Sequence, residues 1–313
     1  MFAIRGFAVS LTFFVVLYCV LSFLVAAGWR SLAPWYTKSV GSLANLLFGL
    51  RILPTAASLA ITLGLVVPSF QLLEPRSIEE DIGLLPLVLG FCALLLIACG
   101  IVRVVTAKIG TSRIVARWMD GATRGRVGPE LMTFRSTHDV PPLTLVGVLN
   151  PRVVMSESAF RLLSTEELSV AIKHEVAHVR SLDNLKKLVL RFSLFPGMDK
   201  LESAWSQMAE LSADDGAVSN QDDAVDLAAA LLKLSRLVPT EAAPACSIGL
   251  LTGSPIRTRI ARLLAWDDVT QSREVKRQCW YTISCGVAAL LCILAIYGPA
   301  LNVTHQITEW IVR

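Results

Sequence analysis

The sequence predicts a mostly helical, polytopic membrane protein of four spans, with an α+β domain inserted between the third and fourth. Composition is the first observation: of 313 residues 54% are hydrophobic and only 17% charged, too apolar for an ordinary soluble chain. The second is a set of four apolar runs, each near the 20 residues that a bilayer requires. The third is a long charge-bearing interval between the last two runs. These divide the chain into residues 1–107, 108–278 and 279–313.

The first run, Phe7 to Ala27, carries no charge and ends in Gly28-Trp29-Arg30, an interfacial aromatic beside a basic residue. It is longer than the apolar region of a signal peptide, and Ala26-Ala27-Gly28 is a poor cleavage site, so it reads as a retained span. The second lies between Leu53 and Leu73, with Pro54 and Pro68 near its ends. The third runs from Gly83 to Val102 and the fourth from Trp280 to Ala300.

Orientation follows from the basic residues beside the spans. Arg103, Lys108, Arg113, Arg117, Arg124 and Arg126 follow the third, and Arg273, Lys276 and Arg277 precede the fourth. The interval between is therefore expected in the cytoplasm, with both termini outside a cytoplasmic membrane. Arg5 and Arg76 fall on the other side of this scheme. The net charge of +4 is mostly this juxtamembrane bias, which points to anionic lipid at the inner leaflet and not to nucleic acid. Cys19, Cys92, Cys99, Cys279, Cys285 and Cys292 lie in or beside the spans and only Cys246 in the domain. With no C-x-x-C pair, they read as small buried hydrophobes.

The domain opens with Ile109 to Trp118, which suits either a helix on the membrane surface or an extension of the third span. Three short extended runs follow, Leu131–Thr137, Leu143–Val146 and Val153–Ser156, bounded by Pro141-Pro142 and Asn150-Pro151. A small sheet here offers an edge on which a peptide can add as a strand. His138, lacking a spaced partner, reads as a surface or turn residue.

Ser164-Thr165-Glu166-Glu167 is a capping box, and it opens a helix through Leu168, Val170, Ile172, Val176 and Val179. Within it lies His174-Glu175-Val176-Ala177-His178, two of the chain's four histidines at helical spacing. At (i, i+4) both imidazoles leave one face and can grip one metal ion, the H-E-x-x-H zinc pattern. Glu175, beside the first ligand, is placed to take a proton from a water that the metal has acidified, the role of a catalytic base.

Two histidines leave a catalytic zinc one protein ligand short. Glu202 and Glu210 are the candidates, both on the helical run Asp199 to Val218. Glu210 is favoured because Asp214, one turn later, can support a ligating histidine. Asp183, close after the motif with Arg180 and Asn184, can orient His178 or cap the helix.

Beyond it, Leu185 to Leu194 is apolar with Lys186, Lys187 and Arg191 opposite, and Pro196-Gly197 breaks it. Gln221 to Leu237 reads as an amphipathic helix, Pro239 to Pro244 as a loop, and Arg257 to Trp266 as a short basic helix. After the fourth span about ten residues remain, so no outer domain is expected, and His305 and Glu309 are kept from the zinc site by the span count.

Three spans, a domain carrying His174-Glu175-x-x-His178-x-Arg180-x-x-Asp183-Asn184 and then a fourth span resemble the integral-membrane zinc metallopeptidases of the beta-lactam sensor-transducer type (BlaR/MecR-like). The resemblance covers nearly the whole chain, without the outer sensor domain. It implies a zincin-like domain, a zinc ion held by His174, His178 and Glu210, Glu175 as catalytic base, and hydrolysis of a protein substrate such as a cytoplasmic repressor or the chain itself. Glu210-x-x-x-Asp214 is similar also to the CAAX prenyl protease and HtpX-type membrane proteases, which use the same chemistry in quality control.

Two other classes fit less well. A non-catalytic receptor with structural zinc would close the fourth ligand position with a cysteine or histidine, and none is well placed. A transporter would carry ionisable groups inside its spans, and none does in the runs above.

Overall fold

The computed structural model describes residues 2–32, 39–75, 83–125, 132–138, 140–148, 150–193, 195–237, 247–249, 255–266 and 297–307. It divides into two compact units, one of residues 1–28, 52–99 and 269–313, the other of residues 29–51 and 100–268.

Four helices open the chain: α1 (Phe2–Leu32), α2 (Val40–Ile61), α3 (Val67–Leu73) and α4 (Leu84–Met119). A π-turn at Thr62–Val66 joins α2 to α3. Three stretches, Phe2–Ser31, Val40–Leu73 and Leu84–Met119, are long and apolar enough to cross a membrane. The second helix begins well ahead of the predicted Leu53, because nothing between Val40 and Leu53 breaks it. The fourth predicted span lies outside the described residues up to residue 296, and 297–307 are helical. The run Ile109–Trp118 belongs to α4, so of its two readings the extension of the third span is the observed one.

Within the first unit the π-turn has a local cause. Pro68 has no N–H to donate to the Gly64 carbonyl four residues earlier, and the Tyr297 hydroxyl donates to that carbonyl instead, at 2.8 Å. Thr12 Oγ1 likewise donates to the Pro86 carbonyl at 3.1 Å, tying α1 to α4. Gly6 lets α1 meet α3 closely, since a Cβ there would come within 2.7 Å of the Phe70 ring. Arg5 and Glu74 pair beside it at 2.9 Å, both buried.

The second unit holds a five-stranded sheet among the described residues, in the order β1-β2-β4-β3-β5. The strands are β1 (Thr123–Gly125), β2 (Thr133–Ser136), β3 (Leu143–Val146), β4 (Arg152–Ser156) and β5 (Ser247–Gly249). Only β2 and β4 pair in parallel. Both faces of the centre are covered, which is why β3 and β4 read as continuous apolar runs. Leu143, Leu145, Val153 and Met155 enter the main core, while Val146 and Val154 face Trp118 at the end of α4. Neither β1 nor β5 is predicted, since each is only three residues long.

Six helices among the described residues complete the unit: α5 (Glu157–Leu162), α6 (Thr165–Arg180), α7 (Asp183–Phe192), α8 (Asp199–Ala217), α9 (Gln221–Leu234) and α10 (Ile256–Leu264). The unpredicted α5 starts where the Ser156 hydroxyl accepts from the Ala159 N–H at 3.1 Å. The Ser164/Glu167 capping box is formed, and Lys233 of α9 reaches Glu167 at 2.7 Å. The core lies between sheet, α6 and α9, with Ala171, Leu227, Ala230 and Leu231 fully buried. Gly216 keeps α8 close to α6, where a Cβ would stand 3.1 Å from that of Ala177.

Leu227→Ala should therefore destabilise this unit by about 2–5 kcal/mol, the cost of a core cavity. A thermal unfolding midpoint within a degree or so of wild type would contradict the burial described.

Candidate metal centre

Helix α6 carries the first residues of the site. Its register turns His174, Glu175 and His178 inward, all with no exposed surface. The two Nε2 atoms converge to 3.1 Å and the rings meet edge to face.

Helix α8 supplies the third residue. Glu210 Oε2 stands 3.6 Å from His174 Nε2 and Oε1 stands 3.8 Å from His178 Nε2. Ligand arms of about 2.0–2.1 Å at tetrahedral angles put donor atoms about 3.3 Å apart, so the three residues can hold one metal ion. Glu202, the other candidate, is outside this group and lines a separate cavity.

Each imidazole is backed by a carboxylate on its far nitrogen, the arrangement that fixes a ligand's tautomer and ring angle. Asp183 Oδ2 accepts from His178 Nδ1 at 2.8 Å. Asp214 Oδ1 lies 3.0 Å from His174 Nδ1, close enough for an ion pair though not aligned as a hydrogen bond. The position of Asp183 depends on Leu182, whose φ of 56° is left-handed and reverses the chain between α6 and α7. A leucine pays for that conformation, and the bonded side chains of Asp183 and Asn184 just after the turn hold it. Asp183 orients His178 and makes no cap to α6, whose C-cap is Ser181. Next to it Asn184 Nδ2 donates to the Gly147 carbonyl at 2.8 Å, fixing the start of α7 to the end of β3.

One functional residue escaped sequence reasoning. Arg259 of α10 is completely buried, and its guanidinium donates to two carboxylates of α8: Nε and Nη2 to Asp214 at 2.8 and 2.6 Å, Nη1 to Glu210 at 3.1 Å. The signal was present. Ile256, Ile260 and Leu263 form the inner stripe of α10 at helical spacing, and Arg259 sits on that stripe. An arginine on a buried stripe demands a buried carboxylate.

The electrostatics sort the acids. Burial raises Glu210 and Asp214, but the adjacent histidines and the Arg259 guanidinium outweigh it, bringing Glu210 down to about 2 and Asp214 lower still. Burial also dominates Glu175, and the nearby charges of His174, His178 and Arg259 only partly oppose it, leaving it raised to about 7. Neither Glu175 oxygen has a hydrogen-bond partner among the described residues. Burial lowers Lys187 on α7, against the pull of Glu210, Asp183 and Glu175. His138, by contrast, is exposed and bonds the Asp120 carbonyl at 3.0 Å. His305 lies in the other unit, 3.8 Å from Glu74, and Glu309 is outside the described residues.

No known protein family and no curated protein matches the chain.

Two substitutions probe this geometry. Metal analysis should find about one ion per chain in wild type and in Glu202→Gln, with a large loss in Glu210→Gln. Arg259→Lys keeps the charge but not the fork, and should weaken metal affinity by about 10–100-fold, as removal of a ligand's support does elsewhere. Full occupancy in Arg259→Lys at limiting metal would contradict that role.

Proposed function

We propose that the protein is a membrane-embedded zinc endopeptidase that cleaves cytoplasmic proteins, or the inner-leaflet ends of membrane proteins, in regulated proteolysis. The observation that carries this reading is Glu175: a fully buried carboxylate with neither oxygen hydrogen-bonded, beside a group of two imidazoles and one carboxylate. A structural metal site has no use for such a group, whereas hydrolysis needs an acceptor that is not already occupied.

His174, His178 and Glu210 would hold the ion. When bound there, zinc supplies Lewis acidity, polarising the scissile carbonyl and making water a better nucleophile at neutral pH. Glu175 accepts the proton that the attacking water loses and delivers it to the departing amine. Its setting suits the exchange, because dry surroundings favour the protonated form and the adjacent cationic groups favour the ionised one. Asp183, Asp214 and Arg259 do no chemistry and keep the imidazoles and Glu210 aimed at one point.

A substrate segment can join the sheet as an added strand, since backbone hydrogen bonds accept many sequences. The fourth span and the cytoplasmic position of the second unit belong to this proposal, supported by the basic residues from Arg103 to Arg126 and from Arg273 to Arg277. The likeness to sensor-type membrane peptidases rests on the motif and on this order of elements.

Glu175→Gln should keep its metal and its unfolding temperature while cleavage of a protein substrate falls by at least about 100-fold. Cleavage at the wild-type rate would leave a metal-binding receptor as the better reading. Reporter fusions after Val127 and at the C-terminus should report cytoplasm and exterior respectively. The same side for both would remove the fourth span.

A further inference from the structure

A second polar site lies in the same unit as the metal centre and is not used by it. A cavity of about 410 Å³ opens between α2, α4, α7 and α8, and three arginines line it, one from each of the first three of these helices. Arg51 is buried, held by Ser193, whose hydroxyl and carbonyl accept its Nη1 and Nη2 at 3.0 and 2.6 Å. Arg103 is exposed and Arg191 half-buried. Asp199 and Glu202 of α8 are also in the lining, so the cavity carries three positive groups against two negative.

The place of these arginines along the chain fixes their depth in a membrane. Arg51 directly precedes the apolar run Ile52–Leu73, and Arg103 directly follows the run Gly83–Val102. Each therefore borders a charge-free run of hydrocarbon length inside the longer apolar stretches Val40–Leu73 and Leu84–Met119, and the level at which such a run ends is that of lipid phosphates. Two arginines far apart in sequence meet at one cavity because both stop at that level.

We infer that this cavity binds the headgroup of an anionic phospholipid, its phosphodiester held by Arg51, Arg103 and Arg191. The charge balance selects among phosphates. One excess positive group suits one net negative charge, while Asp199 and Glu202 would repel the additional charge of inorganic phosphate or a nucleotide. The wall that receives the headgroup is also the helix of the metal centre: Ser206 lines the cavity, and Glu210 follows one turn later on α8. A bound lipid would thus hold the segment that positions Glu210.

The test is native mass spectrometry of the full-length protein released from phosphatidylcholine nanodiscs containing a minor fraction of phosphatidylglycerol. Wild type should retain phosphatidylglycerol selectively. Arg103→Gln and Arg191→Gln should each weaken retention by roughly fivefold, and their combination by more. Arg51 is left intact because its burial makes it structural, and exposed Arg103 gives a variant that folds. Unchanged retention in the double variant, or equal retention of phosphatidylcholine by wild type, would overturn the inference. Displacement of the lipid by millimolar inorganic phosphate would overturn it too, in favour of a free-anion site. The readout is independent of peptidase activity, so it stands or falls apart from the function proposed above.

Discussion

Arg259 is the constraint on which the candidate metal centre depends. A guanidinium with no exposed surface faces two carboxylates that are 1–2% exposed, and no group in this set is tolerable alone. Removing one member of such a buried set costs about 3–5 kcal/mol, because a charge is left in a medium that cannot solvate it. With all members present, Glu210 and Asp214 remain ionised in a dry core. The fork also fixes distance: three bonds from one planar group bind α10 to α8 at the turn that carries Glu210.

Burial alone would treat the acids alike, and their differences come from partners. Glu210, beside His174 and His178 and bonded by Arg259, is drawn down to about 2 against its burial, whereas Glu175, on the facing helix, accepts from nothing described and burial raises it to about 7. One carboxylate is thereby suited to bind a cation and the other to exchange a proton, a division of roles by environment and not by residue type.

What the sequence disclosed was local. The α6 helix announces itself through its capping box, and the histidine pair through (i, i+4) spacing, because both depend on residues within two turns. Glu210 was legible through Asp214 for the same reason. Arg259 was not, since its partners lie 45 and 49 residues away. Nor was the left-handed turn at Leu182, for leucine has no preference for it and the bonds of Asp183 and Asn184 impose it. Strands β3 and β4 were readable because burial on both faces makes their centres largely apolar. By contrast β1 and β5 are too short to carry a pattern, and α2 begins early because the apolar sequence from Val40 runs on through Arg51 without a helix break.

The same rule of satisfied polar groups runs through both units, each in its own way. In the first, the Gly64 carbonyl that Pro68 cannot serve receives the Tyr297 hydroxyl, and Arg5 meets Glu74. In the second, Asp183, Glu210 and Asp214 each lie against a histidine or Arg259, and Glu167 holds Lys233 and its own helix cap. Among the buried carboxylates of the described residues, Glu175 alone leaves both oxygens without a hydrogen bond. A chain that pairs its other buried acids with such care, yet keeps this one unpaired beside three converging ligand atoms, has stability to gain by replacing it. That forgone gain is the physical argument behind the proposed role of Glu175 as a proton acceptor.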